Sequence, residues 1–227
     1  MQRIFDILFS SIALIFLSPL LIPIAIVLRL TGEGEIFYFQ ERIGKGGVLF
    51  RLYKFATMLK DSPNLGTGTV TMKDDPRILP AGKFLRSTKI NELPQLLNII
   101  IGDMSIIGPR PLTKQAFSAY PVLVQSRVTK VRPGLSGIGS IIFRREEDIL
   151  AGEASSLEFY SNVIAPYKGL VEEWYVNNQG IRTYFAAIFI TVWTVFFPSS
   201  SLIWRVFRDL PAPPIKLRQP LGYPDSL

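Results

Sequence analysis

An Asn-Glu pair at positions 91 and 92 stands directly before LPQLLNIII, with LRSTK upstream and GDMSIIGPRPL downstream. Side chains of these types suit work on a phosphate. Glu92 offers a carboxylate to a hard cation or a proton, and Asn91 offers a neutral carbonyl oxygen to the same cation. Arg86, Lys89 and Arg110 add positive charge and forked donors for phosphate oxygens. Leu93, Leu97, Ile100 and Ile101 follow i, i+4, i+7, i+8 spacing, which predicts a helix with that face buried and Pro94 in its first turn. The free N–H groups at such a helix head attract phosphate. The same residues also fit a plainer role, in which Asn91 caps the helix and Glu92 complements its dipole. In GPRP, glycine and prolines surround Arg110 and predict a rigid turn that fixes the arginine.

Composition narrows the chemistry further. The chain of 227 residues has no cysteine and no histidine, which removes thiolate nucleophiles, disulfides, Cys/His zinc sites and Ser-His-Asp arrangements. Carboxylates, Arg, Lys and a hard cation are what remain. The 25 Lys+Arg against 18 Asp+Glu suit an anionic partner, whether nucleic acid, phospholipid or phosphorylated substrate. No recognition-helix or RNA-binding signature accompanies that charge, so nucleic acid is not expected.

The elements that must position these residues begin with ILFSSIALIFLSPLLIPIAIVL at 7–28, which carries no charge. At 1.5 Å per residue it reaches roughly 33 Å, enough to cross the hydrocarbon of a bilayer. It is too long for a cleaved signal peptide and lacks a small-x-small site before Arg29. Pro19 and Pro23 predict a kink, with Ser18 satisfying part of the freed backbone. Arg3 before the segment, and Arg29, Arg42, Lys45, Arg51 and Lys54 after it, pull both ends towards the cytoplasm. Charge alone leaves a spanning helix and one that returns to the same face both open.

Beyond it, EIFYFQERIG and KGGVLFRLYKF predict a small β-hairpin, DSPNLGTGT a loop, and KDDPRI at 73–78 an Asx-type turn in preference to an anion-binding corner. TYFAAIFITVWTVFF at 183–197 is short for a span and predicts an interfacial or buried helix, with Tyr184, Trp193 and Trp204 at headgroup depth and Arg205 and Arg208 meeting lipid phosphate. The final PAPPIKLRQPLGYPDSL predicts an extended, poorly packed tail.

Taken in order, the break at Ser18-Pro19, QERIG (Gln40 to Gly44), YKF.TM (Tyr53 to Met58), KDDPRI, LR.T...ELPQLLN, GDMS, GPRP and VRPGLSG (Val131 to Gly137) resemble the bacterial monotopic phosphoglycosyl transferases, from residue 1 to about 180. The resemblance implies a mainly α fold with a small β-hairpin (α+β), a re-entrant helix over 1–30, a catalytic domain over 31–182, an interfacial helix over 183–210 and a tail over 211–227. It implies transfer of a sugar 1-phosphate from a UDP-sugar to undecaprenyl phosphate with Mg²⁺, on the cytoplasmic face of the bacterial inner membrane and in contact with membrane lipid. A homodimer stays open. It makes Glu92 the second member of an Asp-Glu dyad, sets Arg86 and Arg110 near the phosphates, and puts Lys54 and Asp75 in matching motifs.

The chain departs from the family pattern at the nucleophile, where Asn91 replaces aspartate. An amide oxygen is neutral and its nitrogen delocalised, so Asn91 is not expected to form an aspartyl-phosphosugar intermediate. Ala56 stands where an arginine is usual, and FRREED at 143–148 adds carboxylates. Three routes follow: Glu146 or Glu147 takes over metal binding or proton removal, Glu92 becomes the nucleophile, or the carrier phosphate attacks the nucleotide sugar directly. A rival reading is a non-catalytic relative that binds the nucleotide sugar or carrier lipid as a scaffold.

Overall fold

The computed structural model describes residues 1–31, 33–64, 75–151 and 156–224. In chain order the elements are α1 (Gln2–Leu30), β1 (Phe37–Ile43), β2 (Leu49–Phe55), α2 (Pro80–Ser87), α3 (Gln95–Ile101), β3 (Ser105–Ile107), α4 (Lys114–Ser118), α5 (Val122–Val128), β4 (Gly134–Ser136), α6 (Ile138–Ile142), α7 (Glu146–Ala151), α8 (Ser156–Phe159), α9 (Ala165–Asn177), α10 (Ile181–Phe196), α11 (Leu202–Val206) and α12 (Ile215–Arg218). The fold is mainly helical, as expected. Two compact units divide the chain: Met1–Asp6, Arg42–Phe50 and Asp103–Leu227 form one, and Ile7–Glu41 and Arg51–Gly102 form the other. Most of the loop expected at 61–69, together with Lys73 and Asp74, falls outside the described residues.

The second unit contains most of α1, which runs unbroken through both prolines and is long and apolar enough to cross a membrane. Pro19 has no N–H for the carbonyl of Ile15, and the Ser18 hydroxyl donates to that oxygen instead at 2.8 Å. This is the backbone repair expected of Ser18. Towards its C-terminal end the helix contributes Leu21, Ile24 and Leu28 to a core shared with Phe55 of β2 and Leu85 of α2. The expected hairpin is present as β1 and β2. Its rings interlock, with Phe37 stacked on Phe55 at 5.8 Å and Phe39 edge-on to Tyr53 at 5.1 Å.

The first unit is built on a parallel pair, β3 and β4, in the register Ser105 to Gly134 and Ile107 to Ser136. Three glycines let the backbone cross here: a Cβ on Gly134 or Gly137 would run into Gly108, and one on Gly108 into Arg132 and Gly134. The GPRP and VRPGLSG motifs therefore depend on each other. Helix α9 carries Tyr167, Lys168, Val171, Glu172 and Tyr175 into the interior.

The C-terminal part corrects three expectations. Helix α10 buries Tyr184, Ala187, Ile190 and Thr194 against its unit and leaves Phe185, Phe189 and Val192 exposed. Tyr184 and Trp204 are core residues and not headgroup anchors, because each polar tip finds a partner inside: Tyr184 donates to Asp6 and Trp204 to the Leu221 carbonyl. The tail is packed. Leu217 is fully buried, Tyr167 donates to the Pro211 carbonyl, and Tyr223 meets the Trp204 ring edge-on at 5.1 Å.

Candidate active site

In the second unit the expected residues Lys54, Arg86, Lys89, Asn91 and Glu92 lie on β2, α2 and the turn between α2 and α3. Asn98 joins these elements, and sequence reasoning missed it. Its side-chain oxygen accepts from the Tyr53 N–H at 2.9 Å and its nitrogen donates to the Arg51 carbonyl at 2.7 Å, so the amide behaves as a short extra strand along β2. An amide in the apolar run LLNIII was the available signal. This clamp fixes Lys54, next in β2, relative to the head of α3. Lys54 Nζ lies 3.4 Å from Glu92 Oε1, with the side chains 19% and 28% exposed. At that length and exposure the pair is weak and yields readily to a phosphate.

Lys89 is left-handed, with φ 60, the one non-glycine of that kind among the described residues. It ends α2 and turns the chain into the 3₁₀ turn Ile90–Glu92. The exposed lysine thus sits at a bend that costs about 1 kcal/mol to hold. Asn91 follows, 6% exposed, and among the described residues its Oδ1 has no hydrogen-bond partner. It does not cap α3, whose cap position is Pro94, so the plainer role is not the one observed. A buried acceptor left unspent costs stability unless a ligand fills it. Asn91 Oδ1 and the neighbouring Glu92 carboxylate are hard oxygen donors of the kind magnesium takes, and the residues fit that ion on this ground. Among the described residues no three acids gather into a ready-made cage. A cation here would complete its shell from substrate phosphate and water, as magnesium ordinarily does.

Helix α3 exists as expected but buries the other face. Gln95, Leu96, Asn98 and Ile99 are inside, whereas Leu97 and Ile101 are 37% and 62% exposed. The polar residues Gln95 and Asn98 have inward roles, which displaces the apolar row outwards.

Arg86 on α2 donates to the Met58 sulfur at 3.7 Å, a poor acceptor that competes little with a phosphate. The close seat of α2 requires Gly82, where a Cβ would strike the Thr57 carbonyl. The Asx turn expected in KDDPRI is present: Asp75 Oδ1 accepts from the Arg77 N–H at 3.0 Å, and the Arg77 guanidinium holds both carboxylate oxygens and the Ser62 carbonyl. Both side chains are buried, so Asp75 is spent on structure.

Arg110, Glu146 and Glu147 belong to the first unit. Gly108 N–H donates to the Ser136 carbonyl and Gly134 N–H to the Pro109 carbonyl, and Arg110 N–H donates to Glu172 Oε1 at 3.2 Å. These pin the rigid turn expected of GPRP and leave the Arg110 side chain exposed. Glu172 is 1% exposed, and burial pushes its carboxyl up to about 7 against the pull of Arg110 and Lys168. Among the described residues its Oε2 and the buried Tyr120 hydroxyl have no hydrogen-bond partner. Nothing in EEWYV separates Glu172 from its exposed-looking neighbour, so its role was not legible. Both oxygens of Glu146 accept from Lys168 Nζ, at 2.9 and 2.8 Å. Burial depresses that ammonium's pKa and Glu146 opposes the shift, so freeing Glu146 would strand a buried cation. Glu147 is in α7, and its side chain lies outside the described residues.

The bacterial sugar transferase family model matches residues 1–198. The chain belongs to that family. Among similar proteins, the Klebsiella pneumoniae UDP-glucose:undecaprenyl-phosphate glucose-1-phosphate transferase is 32% identical over 205 residues, covering 88% of this chain and 41% of that protein. The exopolysaccharide production protein ExoY of Sinorhizobium fredii is 34% identical over 175 residues, 71% of this chain and 77% of its own. The Bacillus subtilis putative undecaprenyl-phosphate N-acetylgalactosaminyl 1-phosphate transferase is 44% identical over 110 residues, 48% of this chain and 61% of its own. This chain thus spans less than half the length of the Klebsiella relative.

Proposed function

We propose that the protein transfers a sugar 1-phosphate from a UDP-sugar to undecaprenyl phosphate, giving a polyprenyl-diphosphate sugar and UMP as the first step of a bacterial surface glycan. The observation that carries this is the family match over residues 1–198, whose motifs bring Lys54, Arg86, Asn91 and Glu92 to adjoining elements of one unit. The relatives named for sugar-1-phosphate transfer support the substrate class. The apolar α1 with basic residues at both ends supports seating at the cytoplasmic face of the inner membrane, on a re-entrant course with both ends on that face.

Asn91 cannot attack phosphorus as a carboxylate would, and the Glu146 oxygens are committed to Lys168. Of the remaining routes, the one proposed is a direct, in-line displacement with both substrates bound. An oxygen of the carrier phosphate forms a bond to the sugar-bearing phosphorus, the bond from that phosphorus to the bridging oxygen breaks, and UMP leaves with the electron pair. Glu92 and Asn91 Oδ1 would hold a magnesium ion, which would supply charge neutralisation to the transferring phosphates. Arg86 and Lys89 bind phosphate oxygens, and Lys54 moves from Glu92 to the leaving group as charge develops there.

UMP release from a panel of UDP-sugars, with undecaprenyl phosphate and Mg²⁺, tests the reading. Turnover with at least one sugar is expected. Specific binding of a UDP-sugar without turnover by any of them would replace the enzyme with the scaffold.

A further inference from the structure

A second cationic site lies wholly within the first unit. A cavity of about 160 Å³ is lined by Arg3, Lys45, Lys130 and Arg132, with Asp6 as its one carboxylate. Asp6 Oδ1 is occupied, since it accepts from the Ser105 hydroxyl at 2.9 Å, the Ile106 N–H at 3.0 Å and the Tyr184 hydroxyl at 2.9 Å. Four cationic side chains therefore line a small space with one carboxylate, one oxygen of which is engaged elsewhere. The fold assembles them deliberately: Gly46 N–H donates to the Thr129 carbonyl at 2.7 Å, which brings the hairpin loop carrying Lys45 beside the segment carrying Lys130 and Arg132. Gln2 in the first turn of α1 donates to Ser105, so Arg3 is held at the same wall. Among the described residues neither Lys45 nor Lys130 has an ion-pair partner. Like charges so gathered repel until an anion enters.

Size and position indicate which anion. The cavity is smaller than the pockets of about 300 Å³ and more that enclose whole drug-sized ligands, and it suits one phosphate group with its tail outside. Arginine forks and lysine point charges are the usual phosphate donors. Gln2, Arg3 and Asp6 come from the start of α1, and the uncharged stretch begins at Ile7. The cavity thus opens where the apolar helix meets water, the depth of lipid phosphates in a bilayer. We propose that it binds the phosphate of an anionic membrane-lipid headgroup, as a site beyond those that the transfer reaction uses.

The test uses the full chain in mild detergent, titrated with phosphatidylglycerol, phosphatidylcholine or inorganic phosphate, with bound lipid counted by native mass spectrometry and stability followed by melting. Lys45→Gln/Lys130→Gln is compared with the wild type, and Lys45→Arg/Lys130→Arg is the charge-preserving control. Phosphatidylglycerol is expected to bind the wild type near one per chain and to raise its melting temperature, while phosphatidylcholine does neither. The glutamine pair is expected to weaken binding at least about tenfold and the arginine pair to restore it. Equal retention of phosphatidylglycerol by the glutamine pair, or failure of the arginine pair to bind, would overturn the site. Protection by inorganic phosphate equal to that by phosphatidylglycerol would overturn the lipid as its source. None of these readouts requires transferase turnover, so the proposal fails or stands apart from the catalytic one.

Discussion

The chemistry proposed at residue scale depends on Asn91, a buried amide whose Oδ1 has no hydrogen-bond partner among the described residues. Placing an acid there should change the kinetic mechanism: Asn91→Asp is expected to release a stoichiometric burst of UMP from UDP-sugar before any carrier is added, by forming an aspartyl-phosphosugar. Rapid quench without undecaprenyl phosphate reads this directly, and a variant with no burst would show that the site cannot support a nucleophile at 91. Glu92→Gln should cost on the order of 10²–10³ in kcat, because on the proposed reading it removes a charged ligand of the cation. Steady-state UMP release measures it, and a loss below tenfold would remove Glu92 from the centre of the account. The candidate residues were legible because motifs mark them. Glu172 was not, since its adjacent twin Glu173 carries the same side chain and only burial separates their behaviour.

At the scale of elements, the site depends on Asn98 holding α3 to β2. Asn98→Ala leaves the Tyr53 N–H and the Arg51 carbonyl unpaired and is expected to destabilise the protein by about 2 kcal/mol. A melting temperature in detergent within 1 °C of the wild type would contradict the clamp. Helices α1, α3 and α10, the hairpin, the Asx turn at Asp75 and the Ser18 repair were readable from spacing and turn chemistry. The buried face of α3 was not, and the reason is physical. Hydropathy tells which side chains avoid water but not which apolar surface receives them, and in a chain with a membrane helix the outward side is also available. Leu97 and Ile101 stay exposed while Gln95 is buried and Asn98 turns inwards for its hydrogen bonds. The packed tail was missed similarly, because proline-rich composition hides the anchors Leu217 and Tyr223.

For the whole molecule, the buried Glu172 couples stability to pH. Burial pushes its carboxyl from the ordinary 4.5 up to about 7 in the fold, so between these pH values the folded chain keeps a proton that the unfolded chain has lost. Stability should fall as pH rises through that window and level off above it, by up to about 3 kcal/mol. Glu172→Gln should flatten the melting profile between pH 5 and 8, and identical slopes for both proteins would refute the coupling. The central claim also concerns the complete molecule, because it requires carrier and nucleotide sugar to be bound together. The decisive measurement is UMP release by the wild type with Mg²⁺ and its UDP-sugar, in the presence and absence of undecaprenyl phosphate. The account predicts UMP only when both substrates are present. A stoichiometric release of UMP from the UDP-sugar alone, leaving phosphosugar on the protein, would contradict it.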